Sequence, residues 1–167
     1  MADFKNGLRA TSVPERSPPQ LMIALAKAAS DQEVRISAEY FAAVKPRSTI
    51  TVIERDTVPK TTVAGWFLAD ARTGENEPVG NRIIEIPEDL AQFENRDARS
   101  RFIAYAPIGS IKKGEALAAK GIEGIATRCD ACHGPGLTGL GEVPGIAGRS
   151  PSYIVRQLYD LKHGARA

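Results

Sequence analysis

The chain has 167 residues, 43% of them hydrophobic and 25% charged, with a formal net charge of +2. These proportions fit a globular chain and exclude a disordered, collagenous or coiled-coil one. At about 100 to 150 residues per domain, the length allows one full domain or two small ones, with a sizeable core.

The first twenty residues carry Asp3, Lys5, Arg9, Glu15 and Arg16 where a secretory signal needs an apolar stretch, so no export signal is visible. Pro18-Pro19 lead into Gln20 to Lys27, a short helix or turn. Its Leu21 to Ala26 is the longest apolar run, six residues against the roughly 20 of a membrane-spanning helix. Ser30-Asp31-Gln32-Glu33 is a capping-box pattern opening a helix that must end before Pro46, with Val34, Ala38 and Phe41 as its apolar face. Between 46 and 108 the character changes. Thr49 to Ile53, Thr62 to Leu68 and Arg82 to Ile86 are short β-branched or aromatic runs separated by Pro and Gly, which predicts a small antiparallel β insertion. Trp66 is expected as its buried anchor rather than as a docking residue. Ser110 precedes Ile111 to Ala119, a predicted helix that runs up to Gly121. At the C-terminal end, Ser150-Pro151 is an N-cap followed by a first-position proline. Ile154, Leu158 and Leu161 then recur at helical spacing until Gly164.

Cys129 and Cys132 are the two cysteines, too few for a disulfide scaffold, and His133 follows directly in Cys-Asp-Ala-Cys-His. This C-x-x-C-H pattern reads as covalent attachment of a c-type haem. Two thiols three residues apart on one helical turn can each add to a haem vinyl group, and the adjacent imidazole is then placed under the iron. A zinc site built on Cys129, Cys132, His163 and one further ligand, a thioredoxin-like redox pair, and a structurally inert pair of thiols are the competing readings of the same cysteines. From Gly134 to Gly148 the chain is too rich in Gly and Pro for any regular element, and it is expected to be a loop that lets backbone approach a large flat ligand.

A short internal repeat links the two ends. Asp3-Phe4-Lys5-Asn6-Gly7-Leu8-Arg9 parallels Asp160-Leu161-Lys162-His163-Gly164-Ala165-Arg166, with Asp, Lys, Gly and Arg in register. The chain therefore begins at a point in one repeat that it reaches again at its end.

Three pieces in order, GEALAA (114–119), RCDACHG (128–134) and VPGIAGRSPSYIVRQLYDLKHGAR (143–166), resemble the class I c-type cytochromes, especially the bacterial tandem two-haem branch. The resemblance covers about three-fifths of the chain. It implies a mainly α protein: 1–45 as the C-terminal part of a first cytochrome domain, 46–108 as the β-rich insertion, and 109–167 as the N-terminal part of a second domain carrying the attachment motif. It also implies that the Pro144 carbonyl accepts the His133 ring N–H, and that Arg149, Tyr153 or Arg156 approaches the haem propionates. Tyr153 also reads simply as a half-buried helix residue. Tyr40-Phe41 would be the aromatic pair of a domain's final helix, and Met22 a distal iron ligand, although a helix-core methionine reads the same way.

The function implied is electron transfer through haem c in the periplasm, without an enzymatic active site. Its partners would be a redox donor and acceptor of the respiratory chain or a periplasmic dehydrogenase, with no membrane-spanning segment in this chain. The counts are 6 basic and 5 acidic residues in 1–45, 8 and 10 in 46–108, and 8 and 5 in 109–167, no clustered basic stripe for nucleic acid. Lys112 and Lys113 read either as residues that steer an acidic redox partner or simply as a solvated helix start. Three states of the sixth iron position stay open: a five-coordinate haem, ligation by Met22 folding back or exchanged between chains, and a fragment whose missing ends supply both partners. The fragment is the expectation, since both termini interrupt recognisable units. A haem enzyme of peroxidase type with an open distal site is the alternative function.

Overall fold

A computed structural model describes residues 2–45 and 47–165. Pro46, expected to follow the capping-box helix, Arg166 of the second repeat copy, Met1 and Ala167 lie outside the described residues. In chain order the elements are α1 (Ala2–Lys5), α2 (Ser17–Ala28), α3 (Asp31–Ala43), β1 (Ile50–Glu54), β2 (Thr57–Pro59), β3 (Thr61–Ala64), β4 (Phe67–Asp70), β5 (Asn76–Pro78) and β6 (Ile84–Pro87). There follow α4 (Leu90–Glu94), β7 (Phe102–Ala106), α5 (Ser110–Lys120), α6 (Asp130–His133), β8 (Gly139–Leu140), β9 (Val143–Pro144) and α7 (Pro151–Lys162). The chain divides into two units, 1–47 with 155–167, and 48–154.

In the first unit, Pro18 and Pro19 fall in the first turn of α2, where a missing N–H leaves no hydrogen bond unmade, so the run expected as a short helix or turn becomes twelve residues of helix. The capping box of α3 is complete: Ser30 Oγ accepts from Glu33 N at 3.3 Å, and the Glu33 carboxylate accepts from Ser30 N at 2.8 Å. Tyr40 and Phe41 stack edge to face at 5.2 Å, yet stay 66% and 70% exposed. The two repeat copies end their helices identically. Leu8 N donates to Asp3 O and Gly7 N to Phe4 O, while Ala165 N donates to Asp160 O and Gly164 N to Leu161 O. Gly7 and Gly164 sit at φ +73° and +68°, the left-handed position this helix ending requires. Their aspartates differ. Asp160 is only 5% exposed and accepts from Ser12 N and Oγ at 3.3 and 2.7 Å, with the Arg16 guanidinium 3.5 Å away, whereas Asp3 is exposed.

The second unit is built on the sheet β1-β7-β6. Its core gathers Val58, Val79, Ile84, Ile86 and Tyr105, flanked by Ile53, Leu68 and Ile103. An aromatic file, Phe67 to Phe93 to Phe102, packs edge to face at 4.6 and 5.2 Å. The expected antiparallel insertion is corrected here. β7 pairs antiparallel with β6 but parallel with β1, Ile50 facing Phe102 and Glu54 facing Ala106. The mainly α expectation is overturned in the same way: the chain is 39% helix and 21% strand, with several small sheets, a mixed α/β structure. The physical reason is that the middle of the chain pairs its β-branched runs in several separate ladders, and β7 adds a strand that turn signals alone do not flag.

The run Thr62 to Leu68 is a hairpin rather than one strand. Gly65, at φ +62°, takes the first central position of the two-residue turn between β3 and β4, the site where positive φ is demanded. Trp66 therefore stands at the hairpin tip, 72% exposed, and is not the buried anchor expected. The helix α5 begins one residue earlier than expected, at Ser110, and its N-cap is Gly109, which offers no side chain to the helix. No helix among the described residues is long and apolar enough to cross a membrane.

Ser30→Ala is expected to cost α3 about 1 kcal/mol. The Ser30 backbone N–H and hydroxyl hold the Glu33 carboxyl below its ordinary value, so this support is in place above the unfolded glutamate pKa and is lost as pH falls through the lowered folded one. Amide exchange across Ser30 to Val34, followed during acid titration, checks both. Trp66, the one tryptophan, should emit as a solvent-exposed indole and be quenched freely by iodide.

Candidate haem attachment site

The motif is reached through a tight reversal after α5. Gly121 adopts φ +69°, and a Cβ there would lie 2.3 Å from the Ala126 carbonyl oxygen, so only glycine passes. Ile122 and Ala126 exchange backbone bonds at 2.8 Å, and the returning chain brings Cys129 N to Ala118 O at 3.0 Å. The start of the motif is thereby fastened to α5.

From Cys129 the backbone makes one helical turn: Cys132 N and His133 N both donate to Cys129 O, at 3.3 and 3.0 Å. Residues three apart on such a turn share a face, which puts the two thiols side by side. Both are free, Cys129 half-buried and Cys132 exposed. Beside them the Arg128 guanidinium grips the Asp130 carboxylate with two bonds, holding that carboxyl below its ordinary pKa and raising that of Arg128.

The loop that follows is more ordered than its composition predicts. Pro135–Leu137 forms a 3-10 turn, and β8 and β9 form a two-residue ladder, so the expectation of no regular element is corrected. Ile146 N and Ala147 N close the loop on Leu137 O at 2.9 and 3.0 Å. Compactness comes from glycines at the contacts. A Cβ on Gly134 would be 2.6 Å from Gly139 O, and one on Gly145 would be 2.5 Å from Thr138 O.

Closure brings the Pro144 carbonyl to 2.7 Å from His133 Nδ1. A carbonyl only accepts, so Nδ1 carries the hydrogen and the Nε2 lone pair is left for a metal. Arg149 Nε donates to Gly145 O at 3.4 Å, inside the same loop. Tyr153, 42% exposed, lies in the first turn of α7 and donates its backbone N–H to Ser150 Oγ at 3.1 Å. Met22 is exposed on α2, in the first unit.

The donor set fits a covalently attached haem: two free thiols on one turn and an imidazole whose tautomer a backbone carbonyl fixes. Among the described residues, no three His, Cys, Asp or Glu side chains gather closely enough to hold a bare metal ion, so a zinc site has no assembled ligand set. Two carboxylates absent from the sequence reading also touch this segment. Glu54 accepts from Ile111 N at 2.6 Å, and Glu85 accepts from the hydroxyls of Ser150 and Ser152 at 2.7 and 2.8 Å. Strand alternation was the available signal for Glu85, a charge between the core residues Ile84 and Ile86.

Among proteins of known function, the chain is similar to the thiosulfate dehydrogenase electron acceptor of Thiomonas intermedia (strain K12), 43% identical over 82 residues. The match takes in 47% of this chain and 37% of that relative's length. No family model matches the chain. No solved structure matches it.

Gly145→Ala should push the Thr138–Gly145 contact apart, costing about 1 to 3 kcal/mol, and should remove the downfield Nδ1–H resonance of His133. Gly114→Ala, in the middle of α5 with nothing near its added methyl group, should instead stabilise by roughly 0.5 to 1 kcal/mol. Denaturant titration and nitrogen-15 imidazole spectra read the two effects.

Proposed function

We propose that the chain is an electron-transfer protein that carries haem c, linked through Cys129 and Cys132 and ligated at the iron by His133 Nε2. The observation that carries this reading is the pairing of two thiols on one helical turn with a histidine whose Nδ1 is bonded to the Pro144 carbonyl at 2.7 Å. Each thiol would add across one vinyl group, sulfur bonding to one carbon and the thiol hydrogen passing to the other, so attachment needs no oxidant. The bound haem supplies a one-electron couple.

The chain's own residues then bind and orient. The Cys129–His133 turn fixes the attachment points, and the Pro144 carbonyl keeps the imidazole in one tautomer and raises its basicity as a ligand. Arg149 and Tyr153 are proposed to face the propionates. The name of the Thiomonas relative, an electron acceptor, favours a carrier over an enzyme. It also supports an electron donor that oxidises thiosulfate. The compartment proposed is the periplasm, because bacteria attach haem covalently outside the cytoplasm. Because the chain spans 37% of that relative's length, this partner is part of the proposal.

Expression with bacterial haem-attachment machinery should yield an intact mass increased by one haem, abolished in Cys129→Ser with Cys132→Ser. A low-spin reduced spectrum that resists carbon monoxide would identify a filled sixth position, with Met22→Ala as its test, and a high-spin one a ligand missing from this chain. Thiosulfate together with a thiosulfate dehydrogenase should reduce the holoprotein. An unmodified mass, in cells that process a control cytochrome, would overturn the haem reading. Covalent haem that binds carbon monoxide and turns over peroxide would move the function to the enzyme class.

A further inference from the structure

We propose that Glu54 and Glu85 are positioning residues, a pair of carboxylate clamps through which the β sheet sets the orientation of the Cys129–His133 segment. The significance of the clamp for haem rests on the reading above, while the clamp itself stands on contacts within the second unit.

A helix leaves its first N–H groups without intrahelical acceptors, and local side chains usually fill the gap. Helix α5 lacks that help because its N-cap is Gly109, at φ +87°. Glu54, the last residue of β1, supplies the acceptor at Ile111 N from 57 residues away in sequence. At the start of α7, Ser150 Oγ caps Tyr153 N and donates onward to Glu85, whose Oε2 also takes Ser152 N at 3.3 Å and Ser152 Oγ at 2.8 Å. Each helix thus points the positive end of its dipole at a carboxylate held on a strand.

The two strands are β1 and β6, the outer members of one three-stranded sheet, and their registers against β7 are fixed along four or five residue pairs. The motif lies between the clamped ends, residues 111 and 152. From Glu54 the path runs down α5 to Ala118 O and Cys129 N. From Glu85 it runs back through the loop to Pro144 O and the His133 ring. The thiols and the imidazole that would hold the haem are therefore referenced to the same sheet, one through α5 and the other through the start of α7. Among the described residues, the hydrogen bonds of both carboxylates to this segment go to the helix starts, at Ile111, Ser150 and Ser152, so both act through the helices.

The test uses the full chain carrying haem. Glu54→Ala and Glu85→Ala should each shift the midpoint potential and change the paramagnetic shift pattern of the haem methyl groups, which reports the orientation of the His133 plane. Glu54→Gln and Glu85→Gln keep an accepting oxygen and should restore most of the wild-type pattern. Glu75→Ala, which removes an exposed carboxylate paired with Lys60, should change nothing. Ser152→Ala removes a single bond to Glu85 and gives a milder variant should the alanine replacements fail to fold. Wild-type potentials and methyl shifts in folded alanine variants would overturn the proposal. If the wild-type chain takes up no haem, the functional reading fails separately, and amide exchange in the apo chain decides the clamp. His133 and Cys132 should then exchange roughly tenfold faster in the alanine variants, the effect of losing one bond to a charged acceptor. Unchanged exchange would overturn it.

Discussion

Strand Phe102–Ala106 satisfies its backbone on both edges at once, with β1 parallel on one side and β6 antiparallel on the other. Its last three residues, Ala104, Tyr105 and Ala106, are buried, and the chain leaves it through Pro107–Gly109 directly into α5. A strand paired on both sides cannot slip by one residue without turning its buried side chains outward. Whatever fixes β7 therefore fixes where α5 begins, and Cys129 N is fastened to Ala118 O near the far end of that helix. The Cys129–His133 segment inherits its position from a sheet to which it contributes no strand.

Within the motif, the controlling factor is close backbone approach. Gly121, Gly134 and Gly145 each face a carbonyl oxygen at a distance that no β-carbon tolerates, and between them they fold the chain before and after Cys129–His133 into tight returns. The Pro144 carbonyl reaches the His133 ring because the loop has no side chains at those crossings. The Pro144 oxygen commits one nitrogen of the ring, the arrangement that the proposed role as a metal ligand would require.

The first unit shows how little local sequence says about burial. Two matching heptapeptides close their helices with the same pair of backbone bonds and the same left-handed glycine. Yet Asp160 is buried and Asp3 is not. A buried carboxylate is tolerated where donors meet it, and Ser12 and Arg16 do so at Asp160. Both come from the stretch that follows the first copy.

The sequence by itself determined what short-range chemistry determines. Ser30 to Glu33 makes its capping box, Ser150 and Pro151 start α7, Gly164 ends it, and Cys129 to His133 makes a helical turn, because each depends on partners within about five residues. What the sequence could not determine rests on pairings between distant residues. The parallel partner of β1, the mixed α/β class and the two strand carboxylates that cap α5 and α7 depend on contacts spanning tens of positions. The hairpin that exposes Trp66 is short-range, its pairs three to nine residues apart, and the sequence reading misses it by not taking Gly65 as its turn. Helical turns and caps are decided by the chain's own backbone geometry. Sheet register and the burial of a charge are decided only when separate segments compete for the same hydrogen bonds and the same apolar surface.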